Sequence, residues 1–397
     1  MKAIYQEFLP TSCRLRNLTK RVQKGFQITD IVHVITTIMR GGAENQLLIL
    51  VEQQVQAGRE VDVIYLKGEP ELAQEFIALG AKVHNEYANI ALPVQIIKIR
   101  EFLSMANLEQ SIIHAHLPRA QIVASLALSK SRNFICSRHD EDQFYPGKNR
   151  YISKIIFKFV NSKIIYWIAI SESVKQKMIN HKEIPTRNEI QVVHYGYGNK
   201  DSKFTSGVVE DLRFPYKLVR SNFVIGCVAR LVWQKDHECL LRAFALFQQH
   251  NQDSRLVLIG DGPMRPYLER LTESLSLEKS VIFAGKVSSV REHLSLMDVF
   301  VLPSTTEGFG LVLLEAMQAG IPLISSNVSA LPEVVGNAGL LFEVGQPADL
   351  FEKLTIMENP EVRISYSNLG RLRLREFSPE LMWSKVSDIY EKAALLK

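Results

Sequence analysis

The most informative stretch of the sequence is PSTTEGFGLVLLE, residues 303–315, because it joins a glycine-rich loop to a helix and carries two carboxylates. Gly308 and Gly310 place Glu307 in the loop before the helix, whereas Glu315 lies on the helix itself. Such a turn lets backbone N–H groups approach phosphate or hydroxyl oxygens, and an acidic side chain accepts hydrogen bonds from a ribose diol. Glu307 and Glu315 are therefore candidate ligands of a sugar nucleotide. Two glutamates at this spacing are also common on solvated helix faces. The interpretation as ligands therefore depends on the flanking Pro-Ser and Gly-Phe-Gly residues.

Length and composition indicate a two-domain globular protein. The chain has 397 residues, 46% of them hydrophobic and 22% charged, and this length exceeds what one core normally serves. No run of about 18 uncharged apolar residues occurs and the basic N-terminus has no apolar signal-peptide core, so we expect a cytoplasmic protein. The cysteines form no Cys-x-x-Cys pair and have no histidine at metal-ligand spacing, which argues against disulfides and structural zinc. They are Cys13, Cys136, Cys227 and Cys239.

Short apolar runs alternate with amphipathic stretches along the chain, which is typical of parallel sheets flanked by helices. In the first half the predicted strands are 31–35, 61–66, 111–115, 134–137 and 164–170. Predicted helices there cover 43–57 and 69–79, and each is closed by a glycine. After a polar segment at about 196–217 the pattern restarts, with predicted strands at 223–228, 256–259, 281–284, 299–302 and 322–325.

The repeated alternation predicts an α/β fold of two Rossmann-like domains that face a central cleft at the carboxyl ends of their strands. The expected division is a basic extension at 1–28, a first domain at 29–200, a second domain at 218–376 and a last segment at 377–397. Apolar residues at helical spacing predict that the last segment is a helix.

Glycines and a histidine mark two strand ends of the first domain. Gly41 and Gly42 free the backbone at a helix N-terminus where an anion can bind, although a tight turn that needs glycine for geometry alone has the same sequence. His114 and His116 end a later strand, and we expect strand alternation to point their imidazoles to opposite faces. His116, nearer the carboxyl end, is the functional candidate, and His114 is expected to be a hydrogen-bonded core or surface residue without a role in the site.

Basic residues follow further strand ends in both domains. Arg138 and His139 are candidates for the acceptor side or for a polar loop cap. In the second domain Arg230 and Lys235 follow the first strand, where fixed cations would neutralise a departing diphosphate; surface basic residues on a loop are the plainer alternative. Gly260 opens a Gly-Asp-Gly-Pro turn that suits either a donor site or a purely structural turn.

Taken together, HVITTIMRGGAENQLLIL at 33–50, Arg-x4-Lys, Gly-Asp-Gly-Pro and Glu-x7-Glu closely resemble the retaining nucleotide-sugar glycosyltransferases of the GT-B fold, family four. The resemblance runs from about Ile31 to the C-terminus. It implies an N-terminal acceptor domain, a C-terminal donor domain and a C-terminal helix that crosses back onto the first domain. It also implies a donor that is a nucleoside-diphosphate sugar, UDP- or GDP-linked, and no cofactor beyond this substrate.

Site roles follow from the same resemblance. Gly41 and Gly42 lie against the donor diphosphate or the acceptor, His116 lies beside the reacting sugar, and Arg230 with Lys235 binds the diphosphate. Glu307 contacts sugar hydroxyls and Glu315 holds the ribose. The remaining donor-site residues are Gly260, the nucleobase-binding pair Lys286 and Val287, and the amide donors Gly308, Phe309, Gly310 and Leu311.

The resemblance also implies that transfer retains anomeric configuration. No metal is expected, because no Asp-x-Asp signature is present and the basic pair with helix-end amides can neutralise a diphosphate. Two other classes stay open. A nucleotide-sugar epimerase on the same scaffold would need no acceptor, and a non-catalytic sugar-nucleotide-binding subunit would not need the whole set of site residues.

The acceptor is expected to be a glycan or a lipid-linked molecule. The net charge is +5, and residues 145–163 place an apolar helical stripe beside Arg150, Lys154 and Lys158. This stripe predicts peripheral contact with an anionic membrane, or else a helix that packs on its own sheet. Nucleic-acid binding is not expected, since the charge is dispersed.

Overall fold

The computed structural model describes residues 30–105, 111–128, 133–141, 158–182, 184, 189–198, 213–219 and 221–395. The predicted basic extension at 1–28 and most of the predicted stripe at 145–163 lie outside these residues. Within the described residues, no helix is both long and apolar enough to cross a membrane.

The first half of the chain folds around a seven-stranded parallel sheet in the order β3-β2-β1-β4-β5-β6-β7. Its strands are β1 (Asp30–Ile35), β2 (Glu60–Tyr65), β3 (Lys82–His84), β4 (Ser111–His116), β5 (Phe134–Arg138), β6 (Tyr166–Ala169) and β7 (Glu189–Val192). The helices that connect them are α1 (Gly42–Gln56), α2 (Ala73–Ala78), α3 (Leu92–Met105), α4 (Pro118–Ala127) and α5 (Glu172–Asn180). The central strands are buried on both faces, which explains their continuous apolar sequences.

The second half repeats this plan with a six-stranded parallel sheet in the order β10-β9-β8-β11-β12-β13. Its strands are β8 (Val224–Val228), β9 (Arg255–Ile259), β10 (Val281–Gly285), β11 (Val299–Leu302), β12 (Leu323–Ser326) and β13 (Gly339–Phe342). Its helices are α6 (His237–His250), α7 (Arg265–Ser274), α8 (Val290–Leu294), α9 (Leu311–Ala319), α10 (Leu331–Val335), α11 (Pro347–Ile356) and α12 (Pro360–Leu374).

Every strand predicted from the sequence is present, with ends that differ by one or two residues. Three strands were missed: the edge strands β3, β7 and β13, which are short and only partly buried. The helix predicted at 69–79 begins later, at Ala73, after a turn in which the amide of Ala73 donates to the carbonyl of Pro70 at 3.0 Å. Its predicted glycine stop is correct, since Gly80 has a φ of +100°.

The last helix, α13 (Pro379–Leu395), packs back on the first sheet, as the resemblance implied. Val386, Ile389 and Tyr390 lie in one core cluster with Ile31 of β1 and Ile112 of β4. Burial of an aliphatic side chain of this size contributes about 1.5–3 kcal/mol relative to exposure. The C-terminal helix therefore joins a chain end that follows the second domain to the core of the first.

Both sheets reverse their strand order at one place, between β1 and β4 in the first and between β8 and β11 in the second. Loops that leave a parallel sheet on either side of such a switch point diverge and leave a crevice at the carboxyl ends of the strands. The candidate site residues Gly41, Arg230, Lys235 and 307–310 lie in the loops that follow these strands.

Candidate active site

The loop after β11 carries the Glu-Gly-Phe-Gly segment and ends at the first residue of α9. Gly310 precedes the helix with a left-handed φ of +86°, and a Cβ atom there would lie 2.8 Å from Cδ2 of Leu331. Only glycine adopts this geometry without strain. Glu307 therefore lies in the loop and Glu315 lies on the helix, as the sequence predicted.

Glu307 forms an ion pair with Lys235, and both side chains are about one-fifth exposed. Ser304 donates a hydrogen bond to the same Oε2 atom at 3.4 Å. The two loops are also joined through their backbones, because the amide of Thr305 donates to the carbonyl of Gln234 at 2.8 Å. The structure thus brings together two residues that are 72 positions apart in the sequence and that were predicted to share one donor site.

Arg230 lies on the same side of the second sheet, directly after β8. Its side chain is exposed, and within the described part of the chain it forms no ion pair. The neighbouring turn begins at Gly260, where a Cβ atom would overlap the carbonyl oxygen of Ala229. Packing against this backbone therefore explains why position 260 is glycine. The Arg230 guanidinium is exposed and accessible to an anion.

Glu315 occupies a mostly buried place on α9. Burial raises the pKa of its carboxyl group to about 7. The pKa of the Tyr197 hydroxyl group is raised, mainly by burial and to a smaller extent by the nearby Glu315 carboxylate. A hydrogen-bonding ligand, such as a diol, would therefore meet a carboxyl group whose charge varies near neutral pH.

The predicted nucleobase pair lies apart from this cluster. Lys286 is exposed and Val287 is partly buried, and both follow β10, two strands away from β8 in the sheet. No described contact joins them to Glu307 or Lys235.

The first domain meets the second at the Glu-Gly-Phe-Gly loop. A Cβ atom on Gly42 would lie 3.5 Å from Cδ1 of Leu311, and one on Gly308 would lie 3.1 Å from the carbonyl oxygen of His139. The hydroxyl of Ser171 donates to the carbonyl of Gly308 at 2.9 Å. Backbone from both domains therefore surrounds the loop that was predicted to bind the donor.

Two carboxylates that were not predicted as site residues bridge the domains. Glu141 accepts hydrogen bonds from Thr306 at 3.1 Å and from Ser329 at 2.9 Å. Glu333 of α10 pairs with His194 at 2.6 Å and accepts from the backbone amide of Glu172. Burial alone would raise the pKa of Glu333, but these hydrogen bonds outweigh it and the pKa is lowered. Nothing in the sequence marked these contacts, because they join distant segments of the chain.

The prediction that His114 and His116 point to opposite faces is wrong. Side chains alternate with a period of two, so residues two apart share one face. Their ring centroids lie 4.1 Å apart, and His33 of β1 lies on the same face, 5.1 Å from the ring of His116. β1 and β4 are neighbouring strands, with His33 directly opposite His114. A prediction of this pairing from the sequence would have placed the three imidazoles together.

His116 is 2% exposed, and both of its ring nitrogens are paired. Nε2 lies 3.0 Å from Nδ1 of His33, and Nδ1 lies 3.2 Å from Nε2 of His139. Burial first, and then the neighbouring imidazoles, holds the pKa of His116 well below its usual range. The ring is therefore neutral and hydrogen-bonded on both sides.

Three of these histidines also have the geometry of a metal site. One ring nitrogen from each of His33, His114 and His116 lies within 4.8 Å of the others. Every one of these rings already has hydrogen-bond partners at both nitrogens, so a metal ion would have to displace several of them.

The two residues proposed for the acceptor side differ in environment. Arg138 is buried and pairs with Asp140, with Nε 3.1 Å from Oδ1. His139 is bonded to His116 and, through Nδ1, to the hydroxyl of Tyr195 at 2.7 Å. Tyr195 in turn packs edge-on against Phe309 of the donor loop.

Two family models match the chain, one for each half. The model described as Glycosyltransferase Family 4 matches residues 40–197, and the model described as Glycosyl transferases group 1 matches residues 208–373. Together they span the second sheet and every strand of the first sheet except β1.

Curated relatives agree with this assignment. N-acetyl-alpha-D-glucosaminyl L-malate synthase from Bacillus anthracis is 28% identical over 301 residues, which is 74% of this chain and 77% of the relative. Alpha-monoglucosyldiacylglycerol synthase from Acholeplasma laidlawii is 26% identical over 309 residues, covering 72% and 76% of the two chains.

Solved structures share the fold. Anabaena HepE in complex with UDP has a TM-score of 0.76 at 19% identity, with 92% of this chain and all of that chain covered. A glycosyltransferase from Rickettsia africae has a TM-score of 0.77 at 20% identity, over 93% and 99% of the two chains. With two facing Rossmann-like sheets, a returning C-terminal helix and both family models matched, the chain belongs to the family-four glycosyltransferases of the GT-B fold.

Proposed function

We propose that this glycosyltransferase moves a sugar from a nucleoside-diphosphate sugar, UDP- or GDP-linked, to an acceptor hydroxyl with retention of anomeric configuration and without a metal ion. The observation that carries the proposal is the ion pair of Lys235 with Glu307 beside the glycine-rich start of α9, at the switch point of the second sheet, where Arg230 also follows β8. Complexes of Anabaena HepE with UDP and with UDP-glucose, on the same fold, support a donor of this class.

The basic pair supplies the charge that the leaving group needs. When the bond between the anomeric carbon and the diphosphate breaks, the electron pair stays on the phosphate oxygen. Arg230 and Lys235 neutralise that charge, and the amides of residues 308–311 add hydrogen bonds from the helix N-terminus. The donor competes with Glu307 for Lys235, so that binding frees the Glu307 carboxylate to accept hydrogen bonds from sugar hydroxyls.

The acceptor oxygen attacks the same face of the sugar from which the diphosphate departs. A new bond forms between this oxygen and the anomeric carbon, and the hydroxyl proton passes to the departing phosphate oxygen. No side chain is required as a base in this scheme. Gly41 and Gly42 lie at the diphosphate end, Glu315 holds the ribose, and the backbone after Gly285 meets the nucleobase.

The acceptor is a glycan or a lipid-linked molecule in polysaccharide, lipopolysaccharide or glycolipid synthesis. Two relatives support this proposal. One is the alpha-monoglucosyldiacylglycerol synthase reported above, and the other is the capsular polysaccharide biosynthesis glycosyltransferase CapM of Staphylococcus aureus, which is 29% identical over 60% of this chain and 64% of its own. We place the enzyme in the cytoplasm, with peripheral contact to an anionic membrane.

Product analysis tests the transfer. The protein is incubated with single nucleotide sugars, UDP- and GDP-linked, first alone and then with a membrane lipid extract or with glycan acceptors. Transfer predicts free nucleoside diphosphate and a glycosylated acceptor whose anomeric configuration, read by NMR, is that of the donor. An epimerised donor in the absence of acceptor would identify an epimerase instead. Tight donor binding with no product in any mixture would identify a non-catalytic subunit.

A further inference from the structure

The buried face of the first sheet carries a continuous hydrogen-bonded chain of side chains beneath α1 and α13. We call it the imidazole chain. In order it consists of Gln54, His33, His116, His139 and Tyr195, and a branch from Gln54 continues through Tyr390 and His114 to Ser137. All eight residues except His139 are less than a tenth exposed.

The direction of each hydrogen bond follows from counting protons. Burial lowers the pKa of His33 to about 4 and of His139 to about 3, so the rings are neutral at physiological pH and each carries one N–H. The Gln54 Oε1 atom only accepts, and it lies 2.9 Å from Nε2 of His33. His33 therefore carries its proton on Nε2 and accepts at Nδ1.

The remaining links are then determined one after another. His33 Nδ1 accepts from His116 Nε2–H, so His116 Nδ1 is bare and accepts from His139 Nε2–H. His139 Nδ1 in turn accepts from the Tyr195 hydroxyl at 2.7 Å. All three rings share the Nε2–H tautomer.

The branch obeys the same rule. The Gln54 amide nitrogen donates to the hydroxyl oxygen of Tyr390 at 3.3 Å, which leaves the Tyr390 proton for His114 Nδ1 at 2.7 Å. His114 then donates from Nε2 to the hydroxyl of Ser137, also at 2.7 Å. Rotating the Gln54 amide by 180° would reverse every bond in both arms and move each imidazole proton to Nδ1.

We propose that Gln54 is a positioning residue whose amide orientation commits His33, His114, His116 and His139 to one common tautomer, Nε2–H. It acts on His116 from α1, through His33, without contact to the cleft. The functional part of this inference rests on the proposed function and on the family resemblance, which implies that His116 lies beside the reacting sugar. The tautomer part does not.

The consequence for the reaction is that His116 meets the donor in a fixed orientation and as a neutral ring. Its Nδ1 lone pair is held by His139 and its N–H by His33, so the ring contributes shape and a fixed dipole rather than an exchangeable proton. Tyr195, the last member of the chain, contacts Phe309 and so links the chain to the donor loop.

Nitrogen-15 NMR of histidine-labelled protein at about pH 7.5 tests the tautomers directly, because the shifts of Nδ1 and Nε2 differ between N–H and bare nitrogen. Signals are assigned with single histidine-to-glutamine variants. We expect Nε2–H at all four positions in the wild-type protein. Nδ1–H or a mixture at His116 would overturn the proposal, as would stoichiometric zinc on His33, His114 and His116 after dialysis against zinc.

The variant Gln54→Met keeps the side-chain length and removes both polar ends. We expect mixed tautomers at the four histidines, and a kcat about tenfold lower with a donor KM within about twofold of wild type. Gln95→Met is the matched control: this buried amide donates to the carbonyls of Leu66 and Tyr87, outside the imidazole chain. It should leave the tautomers unchanged. Wild-type tautomers in folded Gln54→Met would refute the proposal, whereas expected tautomers without any glycosyl transfer would refute only the proposed function.

Discussion

Charge at single residues decides the chemistry of the cleft, and Arg230 is an exposed candidate cation. Arg230→Ala should lower turnover by roughly 10²- to 10³-fold, which is the scale for removing one preorganised donor to a developing charge. Steady-state rates measure the effect, with circular dichroism as the check on folding. Arg242→Ala is the control, since its partner Glu238 lies on the same helix, α6. Turnover within twofold of wild type in folded Arg230→Ala would remove Arg230 from the mechanism.

The two glutamates should separate in kinetics. A ribose contact that is equal in the ground and transition states changes mainly KM, whereas a group at the reacting sugar changes kcat. Glu315→Gln should therefore raise the donor KM, and Glu307→Gln should lower kcat. The opposite result would exchange the two assignments.

At the scale of elements, helix α9 holds the carboxyl group of Glu315 in a mostly buried position. Burial raises the folded-state pKa of Glu315 from its ordinary 4.5 to about 7, so between these values the unfolded chain has lost a proton that the folded protein keeps. Stability is therefore lost as pH rises from about 4.5 to about 7, by up to about 3 kcal/mol.

Urea denaturation of wild type and Glu315→Gln between pH 5 and pH 8 measures this loss. Glutamine resembles the protonated carboxyl group, so we expect the variant to gain stability relative to wild type as pH rises. Glu391→Gln, an exposed glutamate on α13, should show no such gain. Parallel stability curves for wild type and Glu315→Gln would show that the carboxyl group is solvated in the folded protein.

The sequence predicted correctly those strands whose residues are all buried and apolar. The central strands, such as β11, are apolar on both faces and were predicted within a residue or two. The edge strand β3 has three residues and a polar sequence, so no apolar pattern marked it. The face of His114 was predicted wrongly, although the period of two determines it.

At the scale of the whole molecule, two sheets facing a cleft followed from the repeated alternation, but the contacts across the cleft did not. Glu141 and Glu333 reach partners more than 100 positions away, and only the packed domains reveal them. The Lys235–Glu307 pair was anticipated as a shared site through the family motifs, whereas its direct ion pairing appears only in the structure.

Attraction to an anionic membrane is the sum of contributions from many basic residues on the protein surface. Each basic residue near an anionic bilayer contributes about 1 kcal/mol at most, and the attraction fades beyond about 8 Å at physiological salt. Vesicle binding should therefore rise with the anionic lipid fraction and fall with salt. Replacing Arg150, Lys154 and Lys158 by glutamine should weaken this binding and leave donor affinity intact. If sedimentation detects no lipid-dependent binding at low salt, the stripe at 145–163 is a packing surface and the acceptor is soluble.

We propose that the cleft binds a nucleoside diphosphate through Arg230, Lys235 and the start of α9. Isothermal titration calorimetry with UDP and GDP, on wild type, Arg230→Ala and Lys235→Ala, tests it most directly. We expect at least one nucleotide to bind wild type at one site per chain without added metal, and to bind both variants at least tenfold more weakly. Folded wild-type protein that binds neither nucleotide, or variants that bind as tightly as wild type, would contradict it.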